Sequence, residues 1–279
     1  MEKLRAIACD IDNTLTNKGG KLMPITKEAF EILHKQGIKI GLASGRELDK
    51  KVYNAYKDWD LSFQFDFLIG MNGGMVKDTK EDRYYCIEYM DKKLMKDILS
   101  YTLDTVNERK ISITMEGDDN NYAMNITPLI ISIQKRKGCE YIDATNNIDL
   151  MCSKACFKIL YRSENPSDCE IIRDMIKERY GDMLQCVISS PETIEVFMSG
   201  YNKGTGLKKY CEWNNIDLKN VIAFGDSEND HEMLINSGKG ICLKNGTPST
   251  KEISDEITDY DCLEDGVGRY LMDKVINQC

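Results

Sequence analysis

The chain of 279 residues has few of the features on which several classes of site depend. It contains only two histidines, His34 and His231, which excludes a histidine-rich metal centre and a mechanism built on paired histidines. No apolar run approaches the ~20 residues of a membrane span, and the first residues lack the pattern of a signal peptide. No G-x-G-x-x-G follows the first apolar run, and no P-loop pattern occurs. Dinucleotide binding and P-loop nucleotide hydrolysis are therefore not indicated.

The chain also has fewer basic than acidic residues. Lys and Arg total 37 against 46 Asp and Glu, and the net charge of −9 argues against broad binding to nucleic acid or to an anionic membrane. The eleven cysteines are scattered without a spacing framework, so we expect reduced thiols in a cytoplasmic protein. Hydrophobic residues make up 42% of the chain, which is enough to form the core of one large or two ordinary domains.

Apolar runs and helical patterns alternate in the first third of the chain. The runs LRAIACDI, IKIGLAS and FQFDFLIG predict buried strands. Between them, the spacing of apolar residues predicts one helix with Thr26 as its N-cap and Gly37 just past its end, and a second helix over residues 47–58. This βαβαβ order is typical of a parallel sheet with helices on both faces.

The middle of the chain follows a different pattern, after which the first pattern returns. Residues 86–190 contain two long helical stretches, DKKLMKDILSYTLDTVNERK and SDCEIIRDMIKERYG, and four segments that alternate as half-exposed antiparallel strands do. A helix starting near Lys203 and the apolar strand NVIAFG follow. We therefore expect an α/β core formed by residues 1–85 and 191–279, interrupted by an inserted α+β domain of residues 86–190.

Four polar stretches fall where the predicted elements of this core begin or end. They are residues 10–14 after the first strand, residues 44–46 after the second, Lys203 at a helix start and residues 225–230 after a late strand. Each of them alone also fits a plain turn, a helix cap or a solvated side chain. Ligands of open α/β sheets bind outside the carboxyl ends of the strands, so the four stretches together predict one site.

These stretches resemble, in order, the motifs of the haloacid dehalogenase superfamily of phosphohydrolases, and in detail those of its Cof-type branch. DIDNTLT resembles the first motif, DxDxT; ASGR resembles the second, YNKGTGL the third and GDSENDHEML the fourth, while IGMNGGMV resembles the end of the branch's third strand. Asn13 stands where the branch usually has glycine, and asparagine tolerates the left-handed backbone that such a turn needs. The resemblance spans the whole chain and implies a Rossmann-like core with an inserted cap.

The resemblance implies a covalent mechanism that depends on Mg²⁺. Asp10 would attack phosphorus, and Asp12 would serve as general acid and then general base. Two like charges ~4 Å apart cost roughly 4 kcal/mol at an effective dielectric constant of ~20, so the acids need a cation between them. Mg²⁺ would be held by the Asp10 carboxylate, the Asp12 backbone carbonyl and the Asp226 carboxylate.

The resemblance also implies a set of groups that bind the transferring phosphate. They are the backbone amides of Ile11 and Gly45, the Ser44 hydroxyl, the catalytic Lys203 and Asn229. Asp230 would stand behind them and orient Lys203 or a metal-bound water. Arg46 would form either a structural ion pair or a contact to the substrate, and Asn72 would either shape a tight loop beside the site or touch the substrate.

The function implied is the removal of phosphate from a small phosphorylated metabolite, such as a sugar phosphate or a phosphorylated cofactor. The insert, with hinges near residues 88–91 and 189–191, would exclude bulk water and select the leaving group. Two alternatives stay open: a phosphomutase of the same superfamily, and a phosphate-sensing protein without turnover, against which the presence of Asp12 argues. We expect no nucleic-acid or membrane partner, and a monomer or a homodimer.

Overall fold

A computed structural model describes residues 4–16, 20–87, 89–115, 121–153 and 155–277. In these residues the strands, numbered in chain order, are β1 (Ala6–Cys9), β2 (Lys39–Ala43), β3 (Phe67–Gly70), β4 (Met75–Asp78), β5 (Arg83–Cys86), β6 (Ser112–Met115), β7 (Asn121–Met124), β8 (Tyr141–Asp143), β9 (Lys158–Arg162), β10 (Leu184–Ser190), β11 (Thr193–Met198), β12 (Val221–Gly225), β13 (Lys239–Cys242) and β14 (Glu256–Ile257). The helices are α1 (Pro24–Lys35), α2 (Lys50–Tyr53), α3 (Ala55–Asp58), α4 (Lys92–Arg109), α5 (Pro128–Lys137), α6 (Ile148–Met151), α7 (Pro166–Tyr180), α8 (Lys203–Trp213), α9 (His231–Asn236), α10 (Pro248–Ile253) and α11 (Gly266–Leu271), the last of which continues as a π-helical turn over Met272–Ile276. None of these helices is both long and apolar enough to cross a membrane.

The chain divides into two compact units, Met1–Ile87 with Tyr201–Cys279, and Glu88–Gly200. Among the described residues, the first unit contains an eight-stranded sheet in the order β14-β13-β12-β1-β2-β3-β4-β5, in which every pair is parallel except β3–β4 and β4–β5. The second unit has its own sheet in the order β10-β11-β9-β6-β7-β8, which is antiparallel except for the β7–β8 pair. The predicted fold class, a parallel-sheet α/β core with an α+β insert, is confirmed.

The end of the insert differs from the predicted position. The sequence pattern assigns residues 191–200 to the core, but β11 pairs with β10 and β9, so that Ile194 lies opposite Ile188 and Tyr161. Pro191, which suggested a boundary, instead lies in the turn between β10 and β11. Residues 191–200 therefore belong to the second unit. At the other end, Glu88 of the predicted first hinge lies outside the described residues.

Two smaller differences concern the first unit. The single helix predicted over residues 47–58 is replaced by the short helices α2 and α3, which begin only at Lys50 and are separated at Asn54, where the backbone departs from helical geometry (φ −98°, ψ 5°). The sequence pattern also missed the antiparallel strands β4 and β5, which extend the sheet beyond β3. In the second unit it missed α5 and β8.

Helix α1 begins at Pro24 and not after Thr26 as predicted, and its cap comes from a distant residue. Met23, at the N-cap position, makes no side-chain cap hydrogen bond. Asp265 instead accepts hydrogen bonds from the backbone N–H groups of Ile25 (2.6 Å) and Thr26 (2.9 Å) and from Thr26 Oγ1 (2.6 Å). The carboxylate thereby satisfies donors at the helix start that have no partner within the helix.

We expect Asp265→Ala to lower the free energy of unfolding by about 2 kcal/mol, because it removes a buried helix cap. Asp265 also has a left-handed backbone (φ 65°), which alanine tolerates poorly. Asp265→Asn keeps an acceptor oxygen and tolerates this backbone, so it should cost less than half as much. Urea unfolding of the two variants measures both values, and equal losses would contradict the cap assignment.

Packing on both faces of the parallel sheet positions the strands that end at the site. Ile7 of β1 belongs to a buried cluster with residues of α1, and Ala8 belongs to a second cluster, on the other face, with residues of α8. In register, Cys9 lies opposite Phe224 of β12 and Leu42 of β2. The polar residues that follow β1, β2 and β12 therefore meet at one edge of the sheet.

Candidate active site

The predicted site residues of the first unit lie in loops at this carboxyl edge. Asp10 directly follows β1, residues 44–46 follow β2, Asp226 follows β12 and Lys203 is the first residue of α8. The backbone N–H of Asp10 donates to the carbonyl of Phe224 (3.0 Å), which continues the pairing of β1 with β12 past the end of β1. This pairing holds the loops that carry Asp10 and Asp226 side by side.

A fully buried lysine lies between two carboxylates at the centre of the site. Lys203 Nζ donates to Asp10 Oδ1 (2.6 Å) and to Asp230 Oδ1 (2.7 Å). The other oxygen of Asp230, Oδ2, accepts from the backbone N–H groups of Asp226 (2.9 Å) and Ser227 (3.1 Å). Asp230 therefore orients both the lysine and the loop that carries Asp226.

Three carboxylates of this site could hold a metal ion. One oxygen each from Asp10, Asp226 and Asp230 lie within 4.8 Å of one another, and all three residues are buried. Together with the one ammonium of Lys203 they carry a formal charge of −2. Oxygen ligands and this charge fit a hard divalent cation such as Mg²⁺.

The proton affinities of these groups reflect the crowding of negative charge. Burial raises the pKa of Asp10 well above its usual range; Lys203 opposes this rise, and Asp230 and Asp226 add to it. Burial likewise raises the pKa of Asp226 to about 7, with repulsion from Asp230 as the next cause. For Lys203, burial lowers the pKa, but the charges of Asp10 and Asp230 outweigh it and raise the pKa above its usual value. The lysine is therefore charged at neutral pH, and a cation bound beside Asp10 and Asp226 would oppose the rise in their pKa values.

The side chain of Asp12 does not join the three-carboxylate cluster. Its side chain is 51% exposed, and its carboxylate pairs with Nε (2.9 Å) and Nη2 of Arg46. Of the two roles open to Arg46, the structure thus shows an ion pair, and its partner is Asp12. The carboxylate that joins Asp10 and Asp226 is that of Asp230. The predicted metal ligand at Asp12 is its backbone carbonyl oxygen, and that assignment stays a prediction.

The predicted phosphate-binding side chains are held by their neighbours. Ser44 is buried, and its Oγ accepts from the backbone N–H of Arg46 (3.1 Å), an arrangement in which the hydroxyl can still donate. Asn229 Oδ1 accepts from Ser227 Oγ (2.7 Å), and Asn229 Nδ2 donates to Asn72 Oδ1 (2.9 Å). Both side chains therefore have defined orientations.

The two predicted backbone donors lie in the same loops. Ile11 follows Asp10, and its carbonyl accepts from the N–H groups of Leu15 and Thr16 (3.1 and 3.0 Å), which closes the turn after β1. Gly45 lies in the turn after β2. The structure thus places every predicted site residue in a loop or helix start of the first unit.

Sequence reasoning missed two contacts of the site. Thr14 Oγ1 donates to Asp226 Oδ1 (2.9 Å), which joins the first motif to the fourth. The contact between Asn72 and Asn229 joins the loop after β3 to the fourth motif. Thr14 and Asn72 both belong to stretches that carry the family resemblance. The resemblance therefore indicated that these positions belong near the site, but it did not indicate which residues they contact.

Comparison with known proteins agrees with these observations. A family model described as haloacid dehalogenase-like hydrolase matches residues 7–271. The HMP-PP phosphatase of Yersinia pestis (strain Pestoides F) is 25% identical over 271 residues, which cover 96% of this chain and 94% of that protein. Two solved structures show the same fold at lower identity. A subclass IIB sugar phosphatase of the HAD superfamily aligns with a TM-score of 0.79 at 18% identity, covering 96% of this chain and 98% of that one. A haloacid dehalogenase-like hydrolase from B. subtilis aligns with a TM-score of 0.81 at 22% identity, covering 98% and 100%.

Proposed function

Since the chain belongs to the haloacid dehalogenase-like hydrolase family, we propose that it is a Mg²⁺-dependent phosphatase of a small phosphorylated metabolite. The observation that carries this proposal is the buried lysine bonded to Asp10 and Asp230, beside a third carboxylate, Asp226. The substrate would be a sugar phosphate or a phosphorylated cofactor. The name of the Yersinia pestis relative, a phosphatase, supports the reaction type.

Asp10 is the proposed nucleophile. Its Oδ1 accepts from Lys203, so we assign the attack on phosphorus to Oδ2. A bond forms between Oδ2 and phosphorus while the bond from phosphorus to the leaving oxygen breaks, which gives an aspartyl-phosphate. Mg²⁺, held by the carboxylates of Asp10 and Asp226 and the carbonyl oxygen of Asp12, would supply the positive charge that lets an anionic phosphate approach an anionic nucleophile.

Asp12 is the proposed general acid and base. It would give a proton to the leaving oxygen and later take a proton from the water that hydrolyses the aspartyl-phosphate. Arg46 donates one hydrogen bond to each carboxylate oxygen of Asp12, and each oxygen keeps a second lone pair at which a proton can be held. Arg46 would thus orient Asp12 between turnovers.

The transferring phosphate would be bound by fixed donors. We assign its oxygens to the Ser44 hydroxyl, the amide of Asn229, the ammonium of Lys203 and the backbone N–H groups of Ile11 and Gly45. The insert, residues 88–200, is assigned the role of a cap that excludes water and selects the leaving group.

An assay of phosphate release tests this function. The purified chain should release inorganic phosphate from p-nitrophenyl phosphate in the presence of Mg²⁺, stop when EDTA is added and recover when Mg²⁺ is restored. A panel of phosphorylated metabolites would then identify the substrate class. Isomerisation of a hexose phosphate without phosphate release would indicate the phosphomutase instead, and binding of phosphate without turnover of any ester would indicate the phosphate sensor.

Mg²⁺ should stabilise the protein more at pH 8 than at pH 5.5. With a pKa of about 7 in the folded protein, Asp226 is protonated at pH 5.5, and this proton should weaken cation binding by about 30-fold. Without the cation, and between about pH 4 and 7, Asp226 holds a proton in the folded protein but has lost it in the unfolded chain. The free energy of unfolding therefore falls as the pH rises through this range. A bound cation offsets this loss.

Thermal melting with and without Mg²⁺ at the two pH values measures the difference. Asp226→Asn serves as the control, because it removes the titrating ligand and should abolish most of the Mg²⁺-dependent shift at pH 8. An equal shift at both pH values in the unsubstituted protein would contradict the assignment of Asp226 as a ligand.

A further inference from the structure

The loop after β3 is fastened to the turn that carries Ser44. Residues 71–74 turn β3 back into the antiparallel strand β4. Met71 and Asn72 both have positive φ (51° and 52°), a conformation that residues other than glycine seldom adopt. The N–H of Met71 donates to the carbonyl of Arg46 (2.7 Å), and the N–H of Asn72 donates to the carbonyl of Ser44 (3.1 Å). The loop therefore holds the turn after β2 on both sides of its central glycine.

The side chain of Asn72 extends this contact to the fourth motif. It is 3% exposed, and its Oδ1 accepts from Asn229 Nδ2 (2.9 Å). A β-carbon on Gly45 would lie 3.0 Å from the same Oδ1, so Asn72 also packs directly against that glycine. Because Ser227 Oγ holds the oxygen of the Asn229 amide and Asn72 takes one N–H, the direction of the other N–H is fixed.

The same loop also contacts the start of the helix that carries Lys203. A β-carbon on Gly73 would lie 1.9 Å from the carbonyl oxygen of Asn202, and one on Gly206 would lie 3.1 Å from Gly73 Cα. Helix α8 therefore packs on the backbone of this loop. The loop after β3 thus contacts the second, third and fourth motifs. Through its side chain, Asn72 forms a hydrogen bond to Asn229 of the fourth motif.

We propose that Asn72 is a positioning residue for phosphate binding, which acts by holding the Asn229 amide in the orientation that receives the phosphoryl group. This inference rests on the proposed phosphatase function. The competing interpretation is that position 72 needs only a residue that tolerates positive φ. Glycine would then serve equally well, and the two interpretations predict different results for one substitution.

Asn72→Gly separates them, since glycine adopts positive φ freely but lacks the amide. We expect the KM for p-nitrophenyl phosphate and the inhibition constant of inorganic phosphate both to rise about three- to tenfold, with a smaller change in kcat, because one orienting hydrogen bond is lost. Asn215→Gly is the matched control: Asn215 is an exposed asparagine of the same unit with φ 50°. Both variants should have similar melting temperatures, and the control should keep the unsubstituted KM.

A double substitution tests whether Asn72 acts through Asn229. Asn229→Ala should also weaken phosphate binding, and Asn72→Gly combined with Asn229→Ala should be no worse than Asn229→Ala alone. Phosphate binding that is unchanged in Asn72→Gly, or effects of the two substitutions that multiply, would overturn this proposal and leave the phosphatase function intact. A complete lack of phosphate release by the unsubstituted protein would overturn both.

Discussion

Asp10→Asn should reduce the rate of phosphate release by more than about 10³-fold at saturating Mg²⁺, because an amide cannot form the aspartyl-phosphate. The substitution is nearly isosteric, and Lys203 keeps Asp230 as a partner, so the variant should fold. The loss should appear in kcat, since the groups assigned to phosphate binding are untouched. Steady-state release of phosphate from p-nitrophenyl phosphate measures it.

Asp78→Asn provides the matched control for this experiment. Asp78 is also a buried aspartate of the first unit, but it accepts hydrogen bonds from the N–H groups of Lys80 (3.1 Å) and Glu81 (3.0 Å) and from Asn214 Nδ2 (2.9 Å). It should therefore keep most of the activity. If Asp10→Asn retained as much activity as this control, Asp10 would not be the nucleophile.

Lys203→Met should lose activity and stability together. Lys203 is fully buried and bonds to both Asp10 and Asp230, so its removal leaves buried carboxylates without their cationic partner. We expect the free energy of unfolding at pH 8 to fall by about 3–5 kcal/mol in the absence of Mg²⁺. We also expect kcat to fall by at least about 10²-fold, because the ammonium that we assign to the transferring phosphate is lost.

The stability loss should depend on pH in a defined direction. The pKa values of Asp10 and Asp226 are already raised by burial, and removal of a neighbouring cation raises them further. Lower pH favours the protonated, neutral form of these carboxylates in the folded variant, so the loss should be smaller at pH 5 than at pH 8. Urea unfolding at the two pH values measures the difference.

Lys208→Met is the control on the same helix. The side chain of Lys208 is 65% exposed and lies 4.0 Å from Glu212, a contact that contributes little to stability. This variant should match the unsubstituted protein in activity and in unfolding. A Lys203→Met protein as stable as Lys208→Met at pH 8 would contradict the charge balance assigned to the site.

The parts of the fold that local patterns determine were predictable. The three apolar runs of the first third contain β1, β2 and β3, and α1 ends before Gly37, whose φ of 85° suits a residue just past a helix. The two long helices of the insert match α4 and α7 to within about a residue at each end. Hydrophobic periodicity sufficed in each case, because these elements bury one face along their whole length.

Contacts between distant residues were not predictable in this way. The cap of α1 comes from Asp265, 240 positions after Ile25, and the end of the insert depends on which strands β11 joins. Neither the cap residue of α1 nor the pairing of β11 can be derived from a local sequence pattern, because both depend on tertiary packing. The helix assigned to residues 47–58 failed for a related reason, since apolar spacing alone does not show the break at Asn54.

In the candidate site, too, the membership of residues was predictable from the sequence, but their individual contacts were not. The order of the motifs and the rule for strand ends predicted that Asp10, Asp226 and Lys203 belong to one site, and the structure places them in loops that meet at one edge of the sheet. Which partner each group takes was not predictable. The carboxylate of Asp12 pairs with Arg46, and Asp230 takes the place beside Asp10 and Asp226.

The most direct test of the central claim is to look for the covalent intermediate itself. Asp12→Asn should slow the attack of water on the aspartyl-phosphate, so the intermediate should accumulate during turnover of p-nitrophenyl phosphate. After quenching in acid and digestion, mass spectrometry should find one phosphoryl group on the peptide that contains Asp10, and none after the further substitution Asp10→Asn. A phosphoryl group on any other residue, or turnover without a phosphorylated protein in either variant, would contradict the account.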